Sequence, residues 1–492
     1  MTYTKLEFML FMVTTVMLLL LNQNNNYRKT LLLIASCYFY AYYDYRFLAL
    51  LAVPIFVDFN IGKAICRSKH AYQRKIWLVT SLTVNLGILL VFKYCNFFIQ
   101  SFQPLLELVG VNARTLDLIL PLGISFYTFK TLSYIIDVYY GKIEPCSSLM
   151  DYALFICFFP TLLAGPIIRA SSFLPQLRSA PSIKWKGVRL GFRLFAVGLF
   201  KKVFIADNLA AFVDAFYANP TLYDTTTTWL GVFAYSLQIY FDFSGYSDMA
   251  IGSSLLLGYQ IETNFNFPYI SRSIREFWRR WHITLSTWIR DYIYIPLGGS
   301  RKGNIRAYSN LLVAMLLCGL WHGAGWTFVI WGGFHGVALI IERILQHNGL
   351  VAEVNEQTGI VSSIIRCLIT LSVVTVGWIF FRSPDFATAV TIIERLVLFA
   401  PGVSWYPPFT ISVILCTTTF HLIRTLKPLD ERIMLPENAW YTPFIIFCLL
   451  WLVILFSPNK FIPEWHCRVF LAFYAQTFIR NMKRILSISI LH

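Results

Sequence analysis

Long apolar runs, separated by short polar loops, alternate along almost the whole chain. A helix needs about 20 predominantly apolar residues to cross the hydrocarbon core of a bilayer, so the shorter runs are expected to be tilted, re-entrant or joined to their neighbours. Each crossing is predicted to be helical, because lipid leaves no backbone polar group free to go unpaired. The runs occupy residues 6–21, 47–65, 76–98, 116–136, 149–168, 192–205, 229–240, 309–341, 368–381, 409–423 and 444–456.

This pattern predicts an all-α, polytopic membrane protein with about ten to twelve transmembrane helices, together with re-entrant or interfacial helices. The composition agrees, since 57% of the 492 residues are hydrophobic and only 13% are charged, whereas a soluble domain has about 25% charged residues. No internal repeat or polar linker divides the chain. We therefore predict a single membrane domain over residues 1–492, with its core at 90–340 and C-terminal helices at 341–492.

The formal net charge of +16 would suggest a nucleic-acid partner in a soluble protein. Here the basic residues cluster in loops between apolar runs, whereas the loops at 217–229 and 400–409 contain no lysine or arginine. An excess of lysine and arginine is typical of cytoplasmic loops. Membrane orientation therefore accounts for the charge, so we expect contact with membrane lipid and no nucleic acid. The basic loop residues are Lys63, Arg67, Lys69, Arg74, Lys75, Arg178, Lys184, Lys186, Arg189, Arg301, Lys302 and Arg306.

The stretch "EFWRRWHITLSTWIRDYIYIPLGG", residues 276–299, is unusually rich in charge and aromatic surface for such an apolar chain. At 100° per residue it separates into two stripes, which predicts an amphipathic helix. Either the helix lies at the membrane interface with its arginines reaching lipid phosphates, or its polar stripe faces a water-filled vestibule that attracts a phosphate-rich donor. The apolar stripe contains Phe277, Trp281, Leu285 and Trp288, and the polar stripe contains Arg279, His282, Ser286 and Arg290.

The apolar run at 309–341 is too long for one span and short for two, and its middle reads "CGLWHGAGW" around His322. Glycine clusters in membrane helices indicate breaks or close backbone approach. An ionisable residue at such a break is a candidate functional residue, and imidazole suits general-base work near neutral pH. The alternative is a histidine that is hydrogen-bonded between packed helices, which is also the interpretation we favour for His335.

Metal and disulfide chemistry are not predicted. Cys318 and His322 have the spacing of two ligands on one helix face, but no second pair follows, and the ten cysteines form no disulfide framework. The segment "YFDFSGYSDMAIG", residues 240–252, places two acids in apolar surroundings. Proton relay, helix–helix adhesion and pore lining all remain open for its polar residues, which are Asp242, Ser244, Ser247 and Asp248.

Several blocks, taken together and in order, resemble the membrane-bound O-acyltransferase family, and most closely its bacterial branch of alginate O-acetyltransferases and teichoic acid D-alanyl transferases. Each block alone is weak, but their order is specific. The blocks are "VFKYCNFF" at 91–98, "LPLGISFYTFKTLSYIIDVYYGK" at 120–142, "FFPTLLAGPIIR" at 158–169, "GLFKKVFIADNLA" at 198–210, "YFDFSGYSDMAIG" at 240–252, "NFNFPYISRSIREFWRRWHITLSTWIRDYIYIPLGG" at 264–299 and "LWHGAGWTFVIWGGFHG" at 320–336.

The resemblance implies a helical bundle around a tunnel through the bacterial inner membrane. It places the family's catalytic histidine at His322 and its second histidine at His282, which would orient the donor or polarise its carbonyl. The donor would be a cytoplasmic thioester, acetyl-CoA or an acyl carrier, with no bound cofactor. The acceptor would be an exported polysaccharide or an extracytoplasmic acyltransferase partner. On this reading the residues near the donor are Arg279, Arg280, Arg290, Trp281 and Ser286, and those lining the tunnel are Asp242, Ser244, Asp248 and Trp321.

The chain departs from the resemblance at two positions, because the family commonly has glutamine where Lys130 and Thr161 stand. Two other functions also remain open. Broken helices with intramembrane charge suit a transporter or flippase for an acyl donor or lipid-linked substrate, although such proteins usually show paired interrupted helices. A non-catalytic scaffold of an export complex would keep its function without His322.

Overall fold

The structure is a computed structural model that describes residues 1–111, 114–179, 182–352, 359–426 and 441–456. Helices α1–α10 are Leu6–Leu21, Asn25–Ala41, Arg46–Arg67, Ala71–Leu89, Cys95–Leu108, Ile124–Tyr139, Leu149–Cys157, Phe159–Leu162, Ala170–Arg178 and Trp185–Leu199. Helices α11–α20 are Asp207–Ala218, Thr225–Leu256, Ile274–Arg280, Ile283–Ile289, Asn304–His322, Trp326–His347, Ile360–Arg382, Phe386–Val397, Pro408–Leu426 and Thr442–Phe456. No β-strand forms within the described ranges, so the all-α prediction is confirmed.

Wider π-helical turns interrupt the α-helices at three places, and each carries a cationic side chain. They are Leu90–Tyr94 between α4 and α5, Phe200–Ala206 between α10 and α11, and Arg290–Tyr294 after α14. A π-helical turn changes the direction of the side chains that follow it and often occurs at functional sites.

Among the described residues, four helical segments are long and apolar enough to cross a membrane, and three shorter apolar helices accompany them. The polytopic prediction is confirmed, whereas the number of ten to twelve crossings stays a prediction. The four are Arg46–Arg67, Ala71–Leu108, Trp326–His347 and Ile360–Arg382, and the shorter three are Leu6–Leu21, Pro408–Ile423 and Thr442–Phe456. The single-domain organisation also stays a prediction, and residues 457–492 of its C-terminal part lie outside the described residues.

Two of the apolar runs, in addition to the run at 309–341, do not form continuous helices. In the run at 116–136 the chain is irregular until α6 begins at Ile124, and the run at 149–168 breaks at Phe158 between α7 and α8. Pro160 contributes to the second break, because proline has no amide hydrogen to continue the hydrogen bonding of α7. Helix α6 is buried on nearly all sides and packs against α3 and α4, so it lies at the centre of the bundle.

The departures at Lys130 and Thr161 contact each other inside this core. Lys130 is fully buried, and its Nζ donates to Thr161 Oγ1 over 2.9 Å and to the Ile156 carbonyl over 3.3 Å. With a glutamine at each position, the two amide groups could form the corresponding buried hydrogen bond. The two departures are therefore coupled, because a buried lysine–threonine pair takes the place of a buried glutamine pair.

This coupling predicts that exchanging both residues is tolerated better than exchanging one. Thr161→Gln alone should lower the thermal midpoint of the purified protein, because it adds volume beside a buried lysine, and overpacking costs about 1–3 kcal/mol. The double variant Lys130→Gln, Thr161→Gln should recover most of that loss. A double-mutant cycle with strictly additive effects would contradict the coupling.

Candidate active site

His282 occupies a turn between α13 and α14, where its backbone is left-handed, with φ 42° and ψ 55°. A left-handed backbone is uncommon for a residue with a side chain and persists only where neighbouring structure enforces it. Hydrogen bonds from an earlier loop do so here. Asn266 N donates to the Arg280 carbonyl over 3.0 Å, and Ile283 N donates to the Asn264 carbonyl over 2.9 Å.

This turn overturns the prediction of one continuous amphipathic helix at 276–299. The first helix ends at Arg280 and the next begins at Ile283. The apolar stripe of Phe277, Trp281, Leu285 and Trp288 is buried. His282 is also fully buried, so it does not belong to an exposed polar stripe.

The side chain of Asn264 determines which nitrogen of His282 carries the hydrogen. Asn264 Oδ1 accepts from Thr284 N over 3.2 Å and from Thr284 Oγ1 over 2.9 Å, and it lies 3.1 Å from His282 Nδ1. Because a backbone N–H is always a donor, the atom that faces it is the amide oxygen, and His282 Nδ1 must then be a donor too. The Nε2 atom of His282 is left as an acceptor and has no hydrogen-bond partner among the described residues.

His322 is the last residue of α15, and α16 begins at Trp326. The predicted break in the run at 309–341 is therefore confirmed. Glycines on the two helices allow this tight hairpin, because a Cβ on Gly319 would overlap the carbonyl oxygen of Phe328 and one on Gly332 would overlap that of Met315.

The imidazoles of His282 and His322 face one cavity of 320 Å³, with their ring centroids 6.3 Å apart. His322 packs edge-on against Trp331 and Phe381, with ring centroids 5.1 and 5.2 Å away, and its Nε2 has no hydrogen-bond partner among the described residues. The interpretation of a hydrogen-bonded structural histidine is therefore not supported at this nitrogen. The remaining wall is largely apolar and includes Phe243, Trp281, Trp321 and Trp378.

A second and larger cavity of 770 Å³ lies one helical turn away along α15, where Cys318 lines it. Cys318 and His322 thus line different cavities. This second cavity is lined by three of the residues that were predicted to bind the donor, namely Arg279, Ser286 and Arg290. Its rim also includes Arg275, Arg343 and His347, and its floor includes Trp278 and Met315.

The other two residues of the donor prediction lie elsewhere. Arg280 forms a 2.8 Å ion pair with Glu276 and donates to the Asn266 carbonyl, so its charge is used within the turn. Trp281 lines the smaller cavity beside the histidines. The helix break at His282 explains both positions, because it changes the direction of the chain after Arg280.

Of the four residues predicted to line a tunnel, Trp321 lines the histidine cavity, whereas the other three do not line it. Asp242 pairs with Lys202, and Asp248 pairs with Lys201 over 2.8 Å, so both acids join α12 to the π-helical turn after α10. Among the open roles for this segment, helix–helix adhesion therefore fits these acids. Ser244 is buried and its neighbour Phe243 contributes to the cavity wall instead.

Two residues of the site were missed in the sequence. Lys93 lines the histidine cavity, and its position inside the apolar run at 76–98 was the available signal, because a charge in such a run is rare. Asn264 orients His282, but nothing in its local pattern distinguishes it from a loop residue.

Removal of the Asn264 side chain is predicted to lower both activity and stability. Asn264→Leu leaves the His282 and Thr284 donors unpaired in a buried turn, and each such donor costs about 1–3 kcal/mol. Asn264→Asp keeps the acceptor oxygen and should retain more of both properties. The measurement is the thermal midpoint and turnover of the purified variants; an Asn264→Leu variant equal to wild type would contradict the orienting role.

Comparisons with known proteins agree with this architecture. The sequence profile of the membrane-bound O-acyltransferase family matches residues 144–349. The chain is 44% identical to a probable alginate O-acetylase of Pseudomonas aeruginosa over 372 residues, which are 74% of this chain and 69% of that protein. It is 34% identical to a peptidoglycan O-acetyltransferase of Helicobacter pylori over 448 residues, which are 86% of this chain and 81% of that protein.

A more distant relative is a teichoic acid D-alanyltransferase of Bacillus subtilis, 31% identical over 259 residues, which are 49% of this chain and 64% of that protein. The alginate O-acetylase and the peptidoglycan O-acetyltransferase cover more of this chain, at higher identity. The chain therefore belongs to the membrane-bound O-acyltransferase family and is a membrane acyltransferase.

Proposed function

We propose that the protein transfers an acetyl group from a cytoplasmic thioester to an exported polysaccharide, or to an extracytoplasmic acyltransferase partner that modifies the polymer. The observation that supports this proposal is the pair of unpartnered imidazole nitrogens of His282 and His322 in one cavity. An arginine-rimmed cavity next to them provides a place for a phosphate-bearing donor.

In the proposed reaction His322 acts as the general base. It takes the proton of the acceptor hydroxyl while that oxygen attacks the carbonyl carbon of the thioester. A C–O bond forms, the tetrahedral intermediate collapses, and the C–S bond breaks. The proton held by His322 then passes to the departing thiolate, so the products are an ester and a free thiol.

His282 has a narrower role than the resemblance suggested. Because its Nδ1 donates to Asn264, its Nε2 can only accept a hydrogen bond while the ring is neutral. A neutral His282 therefore cannot polarise the thioester carbonyl. It would instead accept a hydrogen bond from a second hydroxyl of the acceptor, which would orient the reacting hydroxyl toward His322.

The names of the relatives support a polymer as the acceptor. They refer to alginate, peptidoglycan and teichoic acid. We propose an exported polysaccharide as the acceptor for this chain and the bacterial inner membrane as its location. We propose that a partner that modifies the polymer is a separate protein.

The test compares ester-linked acetate in the surface polysaccharide of a deletion strain with that of the deletion strain carrying the wild-type chain. Restoration by the wild type supports acyl transfer. In parallel, proteoliposomes containing the purified protein are supplied with acetyl-CoA and with the surface polysaccharide as acceptor, and free thiol is measured. Movement of the donor across the membrane without thiol release would favour the transporter alternative and contradict the proposal.

Arg279 is predicted to contribute to donor binding. It lines the larger cavity, is solvent-exposed, and has no carboxylate partner among the described residues. Arg290 lines the same cavity but shares Asp291 with Arg169 at 2.7 Å each, so its charge is partly compensated. Although burial raises the pKa of Asp291, the hydrogen bonds from these two arginines lower it below its ordinary value overall.

Arg279→Gln should raise the KM for acetyl-CoA by about tenfold or more, because hydrogen bonds to charged groups contribute about 1.5–3 kcal/mol. The maximal rate should change little, since the residue lies outside the histidine cavity. Arg280→Gln is the matched control, because its charge is paired with Glu276 and it does not line the cavity. Equal KM values for the two variants would rule out the assignment.

A further inference from the structure

The end of α15 that carries His322 is held by two side chains from a distant part of the chain. Tyr94 Oη donates to the Leu320 carbonyl over 2.9 Å, and Lys93 Nζ donates to the Trp321 carbonyl. The last four carbonyl groups of an α-helix have no partner within the helix. A cation at this end also complements the negative pole of the helix.

The π-helical turn Leu90–Tyr94 makes this arrangement possible. It interrupts a helical segment that otherwise runs from Ala71 to Leu108 and is apolar enough to span a membrane. At the end of the turn, two adjacent side chains reach two successive carbonyl groups of α15. Lys93 therefore lies beside the residue that precedes His322 and lines the same cavity as both histidines.

The charge of Lys93 is not balanced at this site. Of the described residues that line the histidine cavity, Lys93 alone carries a formal charge, and the wall contains no carboxylate. Its Nζ makes two hydrogen bonds, to the Trp321 carbonyl and to Ser125 Oγ at 2.9 Å. An ammonium group has three hydrogens, so one remains for a ligand in the cavity. Burying a cation without a counter-ion in apolar surroundings is costly, and residues of this kind usually have a function.

We propose that Lys93 is a catalytic residue that stabilises the oxyanion of the tetrahedral intermediate. This inference rests on the proposed acyl transfer. When the acceptor oxygen attacks, the electron pair of the carbonyl moves onto its oxygen, and the third hydrogen of the Lys93 ammonium donates to that oxygen. The pair returns to the carbonyl bond as the thiolate leaves, and Lys93 keeps its proton throughout.

The geometry gives Lys93 the two properties that such a group requires. Its hydrogen bonds to Trp321 and Ser125 fix the ammonium before substrate binds, and the apolar wall strengthens its interaction with a developing charge. No histidine can supply the oxyanion donor if His322 is the base and His282 presents an acceptor nitrogen.

The experiment measures the initial rate at which ester-linked acetate appears in the surface polysaccharide of the deletion strain, at matched membrane levels of each variant. Lys93→Met should lower this initial rate by about 10²–10³-fold, as expected when one oxyanion donor is removed. Lys93→Arg keeps the charge and should recover a measurable part of that loss. Tyr94→Phe is the control for helix capping, because it removes the neighbouring carbonyl contact without changing the charge, and it should stay close to wild type.

The outcomes separate this inference from the proposed function. If the wild-type chain restores no ester, the acyl transfer fails and the inference with it. If the wild type restores ester and Lys93→Met does so equally well, only the inference is overturned. Equal losses of rate in Lys93→Met and Tyr94→Phe would show that Lys93 acts by capping the helix, and they would also overturn the inference. If Lys93→Met does not accumulate, Lys93→Gln is measured instead. It keeps a hydrogen-bond donor without the charge, and its initial rate of ester formation must still be lower than that of the wild type.

Discussion

Replacing His322 by alanine should lower the rate of acyl transfer by about 10²–10⁴-fold, which is the usual contribution of a general base. The protein should remain folded, because the Nε2 of His322 makes no hydrogen bond within the described residues. The measurement is the ester-linked acetate of the surface polysaccharide in the deletion strain, with the variant and the wild type at equal membrane levels.

His70→Ala is the matched control for this variant. His70 precedes α4, is exposed, and lines neither the histidine cavity nor the larger cavity. It should leave ester content unchanged. If His322→Ala also leaves ester content unchanged, His322 is not the base, and the scaffold alternative becomes the better description of the chain.

Gly319→Leu should prevent the chain from accumulating as a folded protein. A Cβ at this position would overlap the Phe328 carbonyl oxygen, and a backbone group cannot rotate away as a flexible side chain could. The hairpin of α15 and α16 would have to open. Overpacking usually costs about 1–3 kcal/mol even where side chains can yield, and the cost here should be higher. The measurement is the membrane level and the thermal midpoint of the purified variant.

Gly325→Ala is the control in the same hairpin. A Cβ on Gly325 would meet no atom closer than 3.5 Å, so the variant should fold normally. A Gly319→Leu variant with the thermal midpoint of the wild type would show that the two helices do not approach as closely as the structure describes. Any loss of activity in Gly319→Leu should appear together with loss of folded protein, which distinguishes it from His322→Ala.

The proposed donor site and the proposed base lie in two different cavities. Three of the residues predicted to bind the donor line the larger cavity, and the proposed base His322 lines the smaller one. The two cavities lie one turn apart along α15. A change of acceptor would then alter the smaller cavity without disturbing the arginine rim. The departures at Lys130 and Thr161 lie in the core and line neither cavity, so they do not bear directly on acceptor choice.

Local features of the chain were sufficient to predict the class of fold and one half of the site. Membrane crossing depends on the apolar length of each run, which is a property of contiguous residues. The break at His322 was predictable for the same reason, because Gly319, Gly323 and Gly325 surround it within a few positions. The lysines and arginines of the polar loops likewise indicated membrane orientation without any knowledge of packing.

The other half of the site depends on contacts between residues far apart in the chain. The helix expected at 276–299 breaks at His282 because Asn264, eighteen positions earlier, binds the turn. The acids Asp242 and Asp248 were open to several roles until their partners, Lys202 and Lys201, appeared on a neighbouring helix. Lys93 reaches the carbonyl of a residue 228 positions away. Periodicity describes which face of one helix a residue lies on, but the partner on that face is chosen by how the helices pack, and only the tertiary structure contains that information.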